Sequence, residues 1–145
     1  MKITLSIDSK ESIEIERYVL ARFIDFMDDD APLSKFFSVL ASHPASEVRC
    51  AVASKSCLPI DLLEKMAHDE SVEVVQEVAC NETALNCFDQ HQLQAMIDRD
   101  VSVASQLADN LFLVNLDKRD DLIYLLNKHP DPQVVDTVAE FVKNI

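Results

Sequence analysis

Four cysteines and four histidines carry most of this chain's capacity for metal or nucleophilic chemistry. Cys50 and Cys57 stand seven apart, as do Cys80 and Cys87, and the two pairs are offset by 30. Structural zinc sites gather ligands as close pairs with two to four residues between them, so a gap of six falls outside that habit. All four read as reduced thiols, with metal or cluster binding as the competing reading. His91 follows Cys87 at i+4 and would share a helix face with it, but no Asp, Asn or Ser accompanies the pair to complete a proton relay. His43 and His129 each precede proline, which marks a turn, and His68 ends a helix, where a cation complements the dipole. The triplet Asp28, Asp29, Asp30 offers oxygen ligands without the spacing or the glycine bend of a cation cage, and reads as a solvated turn before Pro32 opens a helix. There is no HExxH and no dinucleotide fingerprint, and the absence of glycine excludes glycine-dependent phosphate loops. No catalytic residue, metal or cofactor is expected.

Charge narrows the partner. With 26 acids against 13 Lys and Arg the formal net charge is −13, which repels phosphate backbones and anionic lipid surfaces. A protein with a basic surface is the partner that fits, with no nucleic acid and no membrane. The asymmetry is steepest between residues 66 and 98, which hold no Lys or Arg and seven acids: Asp69, Glu70, Glu73, Glu77, Glu82, Asp89 and Asp98. That segment is either a solvated face or a docking site for a basic surface. The opening residues lack the charged flank and apolar core of a secretory signal, and no run approaches the ~18 to 20 apolar residues of a membrane span, so a cytoplasmic location is expected.

The elements that position these residues recur. Val48, Val52 and Ala53 stand at i, i+4 and i+5, and the pattern returns as Val74, Val78, Ala79, then Val103, Leu107, Ala108, then Val134, Val138, Ala139, at offsets of 26, 29 and 31 residues. Matched helix ends lie upstream at Leu40, Met66 and Met96. A period in this range is the signature of stacked units that cannot bury an apolar face alone. One domain over 1–145 is expected, with capping helices in 1–42 and about four repeats in 43–142. In the capping part, Ile3, Leu5 and Ile7 alternate as an extended arm. Ser9 or Ser12 caps a helix to about Met27 in which Ile15, Val19, Phe23 and Met27 form an i+4 ladder beside Leu20 and Ile24, and a helix over 32–42 buries Leu33, Phe36, Phe37 and Leu40.

The run Glu47-Val48-Arg49-Cys50-Ala51-Val52-Ala53-Ser54, continued by Leu58-Pro59-Ile60-Asp61-Leu62-Leu63-Glu64-Lys65-Met66-Ala67-His68-Asp69, resembles the leucine-rich repeat variant family within the wider HEAT and armadillo-like proteins. The second copy matches in its first half, and the third and fourth match in their apolar anchors. The resemblance spans about residues 40 to 142. It implies an all-α fold, a right-handed superhelical solenoid of short helix pairs, and no catalytic residues.

Beside the anchors of each first helix lies a polar set: Glu47, Cys50, Ser54; then Glu73, Gln76, Cys80; then Ser102, Ser105, Asp109; then Gln133, Asp136, Glu140. Their i, i+3, i+7 spacing stacks them into one stripe, concave or merely solvated, and Glu47, Glu73, Gln76, Ser102, Ser105, Asp109, Gln133, Asp136 and Glu140 of that stripe, with Glu77 from the acidic segment, are the candidate partner-binding residues. The function expected is a non-enzymatic protein-interaction scaffold or adaptor. The alternatives are an acidic antagonist that imitates nucleic acid, or an immunity-type inhibitor, of a basic protein, and a Cys/His metal-binding protein. Residues 111–116 form an apolar run that is either packed between helices or an exposed contact patch. Exposure there would predict self-association, and the oligomeric state is left open.

Overall fold

In the computed structural model, which describes residues 3–7 and 11–145, helices stack one on another behind a short hairpin. The hairpin pairs β1 (Thr4–Ile7) antiparallel with β2 (Glu11–Glu14), Leu5 opposite Ile13, and the Ile15 N–H extends the ladder by donating to the Ile3 carbonyl at 3.0 Å. The alternation of residues 3–7 therefore has a partner strand. Its signal is a second alternation, Ile13 and Ile15 between glutamates, that a helical reading of the same residues hides. Ser12 accordingly lies in β2 and caps no helix, and Ser9 lies outside the described residues.

Helix α1 (Arg17–Phe26) buries Leu20, Ala21 and Ile24 against α3 (Ser46–Ala53). Of the expected ladder Ile15 and Met27 pack against the core and Leu20 and Ile24 beside it are buried, but Val19 and Phe23 point away from that contact into solvent. A turn of 3-10 helix, Ala31–Leu33, leads into α2 (Ser34–Leu40), which buries Phe37 and Leu40. Phe36, expected in the core, sits at its edge, because a helix this short offers α3 only one face.

Then come α4 (Ile60–Met66), α5 (Val72–Ala79), α6 (Glu82–Cys87), α7 (Gln90–Ile97) and α8 (Val101–Asp109). A second 3-10 turn, Leu111–Leu113, precedes α9 (Leu116–Leu126) and α10 (Pro132–Lys143). Helices α3, α5, α8 and α10 begin at Ser46, Val72, Val101 and Pro132, so their starts keep the offsets of the apolar anchors. The longer second offset accompanies α6, a helix with no counterpart between α3 and α4. Every anchor of the first three sets is fully buried, as are Val134 and Val138. Ala139 is exposed, on a side of α10 turned away from its contacts with α8 and α9.

Packing sorts the helices into two rows. Each of α1, α3, α5, α8 and α10 packs on the next, while α2, α4, α7 and α9 each pack against a member of that row. Polar side chains tie successive members together. Asn81 is buried, caps α6 by accepting from the Thr83 and Ala84 N–H groups, and donates to the carbonyls of Ala53 and Lys55 at 2.8 and 3.1 Å. Lys55, one offset earlier, donates to the Met27 carbonyl at 2.8 Å. Arg49 is buried and donates through Nε and Nη2 to both Asp69 oxygens at 2.8 Å, and through Nη1 to the carbonyls of His43 and Pro44 at 2.9 and 3.1 Å. It joins the turn before α3 to the turn before α5 through charge-assisted bonds. Among the described residues no buried side-chain N or O atom lacks a partner.

The turns repeat chemically. His43 Nδ1 accepts from the Ala45 N–H and His129 Nδ1 from the Asp131 N–H, both at 3.1 Å, and Asp69 accepts from the Ser71 N–H at 2.9 Å in the equivalent place. No helix among the described residues is long and apolar enough to cross a membrane.

Candidate functional site

Where α1, α3 and α5 stand side by side, the polar positions next to the anchors line an open groove of about 530 Å3. Asp25 comes from α1, Glu47, Cys50 and Ser54 from α3, and Glu73 and Glu77 from α5. The geometry follows from the helical repeat, because residues one turn apart beside a buried stripe share a face and three such faces meet here. Four carboxylates converge on one hollow. Burial, and secondarily the Asp25 charge, raises the pKa of Glu77 above the usual carboxylate range. Glu73 is held below that range by the Ser71 hydroxyl, which donates to it at 2.5 Å. At the rim Arg17 Nε approaches Glu47 Oε1 at 3.7 Å, a solvent-exposed pair that neutralises little.

Burial, followed by the charges of Glu77 and Glu73, pushes Cys50 up to about 11, so at neutral pH it stays protonated. Burial raises Cys80 as well, and its sulfur accepts from Gln106 Nε2 and Asn110 Nδ2 at 3.6 and 3.5 Å across the α5 to α8 seam. Cys87 ends α6 and His91 lies in α7, with Phe88 and the Asp89 capping box between them, so the i+4 spacing does not place the two on one helix face. Among the described residues no three His, Cys, Asp or Glu side chains converge to hold a metal ion.

The expected stripe is divided. Glu47, Glu73 and Glu77 meet in the groove, while Gln76, half-buried on α5, does not line it. Ser102 is occupied at the start of α8, its N–H and hydroxyl donating to Asp100 at 2.9 and 2.6 Å. Ser105, Asp109, Gln133, Asp136 and Glu140 lie beyond the groove on α8 and α10.

The acids of residues 66–98 are dispersed too. Asp69 is paired with Arg49, Asp89 caps α7, Asp98 accepts from Gln94 at 2.7 Å, and of the seven only Glu73 and Glu77 line the groove.

Two acids have roles that sequence reasoning missed. Asp25 joins the groove because α1 continues the row of first helices, and only α1's packing on α3 reveals that. Asp29, read as part of a solvated turn, accepts from the Ser56 N–H and hydroxyl at 2.6 and 2.7 Å and from the Cys57 N–H at 2.8 Å. Burial would raise its carboxyl, but these bonds outweigh burial and hold it at about 2. Burial, then the Asp29 carboxylate, pushes the neighbouring Cys57 up to about 11. No family model, no curated protein and no solved structure is matched by this chain.

Proposed function

We propose that this protein is a non-enzymatic interaction scaffold whose acidic groove takes a basic segment of another protein. The observation that carries the reading is the convergence of Asp25, Glu47, Glu73 and Glu77 on one open hollow, with Glu77 held against its preferred ionisation by burial and a neighbouring carboxylate. A lysine or arginine entering the hollow supplies the missing countercharge, and the field of a chain at −13 steers it there. We assign the two rows of helices to a right-handed superhelical solenoid of leucine-rich repeat variant, HEAT or armadillo-like type, an architecture that presents extended surfaces to partners. The recurring helix starts and turn bonds support that assignment. Four free thiols suit a reducing cytoplasm, the compartment we assign.

The test is a calorimetric titration with an arginine- and lysine-rich peptide at low and at raised salt. Binding that weakens with salt and drops at least tenfold in the combined Glu47→Gln, Glu73→Gln and Glu77→Gln variant supports the reading. Equal binding by the variant, or none by the unaltered protein at low salt, removes it.

A further inference from the structure

The two ends of the helix row differ in chemistry. At the C-terminal end α10 buries Val134 and Val138 and turns Asp136, Ala139, Glu140 and Lys143 to the opposite side, a mostly polar face with which a helix stack can stop in water, although Val142 at its flank and Ile145 just after it are exposed. At the N-terminal end α1 buries Leu20, Ala21 and Ile24, and its outer side carries Val19, Phe23 and Phe26 at 60%, 53% and 82% exposure, with Tyr18 at the edge. Val19 and Phe26 are seven apart with Phe23 between them, the spacing of a seam along which one helix packs on another.

We infer that this face is an interface between two copies of the chain, joined α1 to α1 about a two-fold axis. Three observations select a second copy. The first is area: Tyr18, Val19, Phe23 and Phe26 together expose on the order of 450 Å2 per copy, so two copies bury about 900 Å2 before their rims are added. The patch is as large as apolar patches on monomers become, and the paired area, below the roughly 1,200 Å2 of stable interfaces, is that of a weak and transient contact. The second is register: an antiparallel pairing that sets Val19 of one copy against Phe26 of the other also sets the exposed Arg22 of each copy beside the partner's Phe23, a cation next to an aromatic ring. The third is closure. Stacking α1 of one copy on α10 of another would press the phenylalanines against Asp136 and Lys143 and leave an apolar end open, whereas the two-fold contact covers both apolar ends at once.

The dimer is a weak one, working against the repulsion of two chains at −13. Raised salt screens that repulsion, so association strengthens with salt, opposite to what is expected of a basic ligand in the acidic groove. The interface does not depend on the groove's function.

Sedimentation velocity on the full chain across a concentration series tests it. The expected result is a shift from 16.3 kDa toward twice that mass, more complete at raised salt. Phe23→Ser with Phe26→Ser, at exposed positions, should keep the unaltered protein's thermal midpoint under dilute conditions and weaken dimerisation at least tenfold. Phe112→Ser with Leu116→Ser, which alters the exposed residues of the other apolar run, should leave dimerisation unchanged. The proposal is overturned by a monomer at millimolar concentration, by growth past the dimer, or by dimerisation that survives the first variant or is lost in the second.

Discussion

The two halves of the helix row are held together by different physics. Between α1 and α5 the layers are laced by directional bonds: Arg49 to Asp69 and two carbonyls, Asn81 to Ala53 and Lys55, Lys55 to Met27, and Asp29 to Ser56 and Cys57. Between α8 and α10, among the described residues, no side-chain hydrogen bond crosses, and the contact rests on Val103, Leu107, Val134 and Val138. The charged half is also the half with the groove. A groove of like charges pushes its own walls apart, and polar ties behind it keep the walls in register. An apolar seam under a mixed polar surface needs no such ties.

Breaking the laced half at its centre should cost much. Arg49→Met leaves the half-buried Asp69 without its charge partner and two carbonyls without donors, so a loss of roughly 3 kcal/mol is expected in chemical denaturation. Adding Asp69→Leu should recover much of it. A double variant no better than the single would show that the carbonyl bonds, and not the ion pair, dominate. In the apolar half, Leu107→Ala should cost about 2–5 kcal/mol by cavity formation. Hydrogen exchange should then speed in α8 and α10 more than in α3, and uniform acceleration would contradict the division.

Acid sharpens the comparison further. Asp29 and Asp69 both have carboxyl pKa values depressed on folding, so their stabilisation is present above the ordinary carboxylate pKa near 4 and is lost as pH falls below it, for Asp29 toward about 2. Asp29→Asn should remove about 1 kcal/mol at neutral pH, limited by solvent screening at this exposed group, and flatten part of the loss between pH 4 and 2. An unchanged acid profile would remove Asp29 from the account. The smallest effect is at Glu77, whose raised pKa means that ionisation on going above pH 4.5 costs stability. Glu77→Gln should therefore stabilise slightly at pH 7 while weakening a basic ligand, and a destabilised variant would show that Glu77 holds the groove rather than serving it.

Much of this was legible in the chain itself. The apolar anchors and their offsets of 26, 29 and 31 follow from helical periodicity, a local property, and they located all four first helices and their buried faces. The same periodicity put Glu47, Glu73 and Glu77 on one side, because residues beside a buried stripe must share its exposed flank. It failed at the ends of the row. Val19 and Phe23 fit an amphipathic ladder as well as Leu20 and Ile24 do, and which ladder is buried depends on where α3 lies. The hairpin was hidden because alternation and helical spacing overlap across Ile13 and Ile15. In residues 111–116 the apolar run alone did not show that Leu111 and Val114 would be buried while Phe112 and Leu116 would stand exposed.

Composition and spacing determined the helices, their period, their buried stripes and the sign of the surface field. Tertiary structure decided which acids act together. Asp69 and Glu73 are four residues apart, yet one is neutralised by Arg49, twenty residues away from it, and the other lines a groove with Asp25 of α1. The hydrophobic pattern is set along a single helix, whereas an electrostatic environment is a sum over neighbours in space, and only the packing of the rows supplies those neighbours.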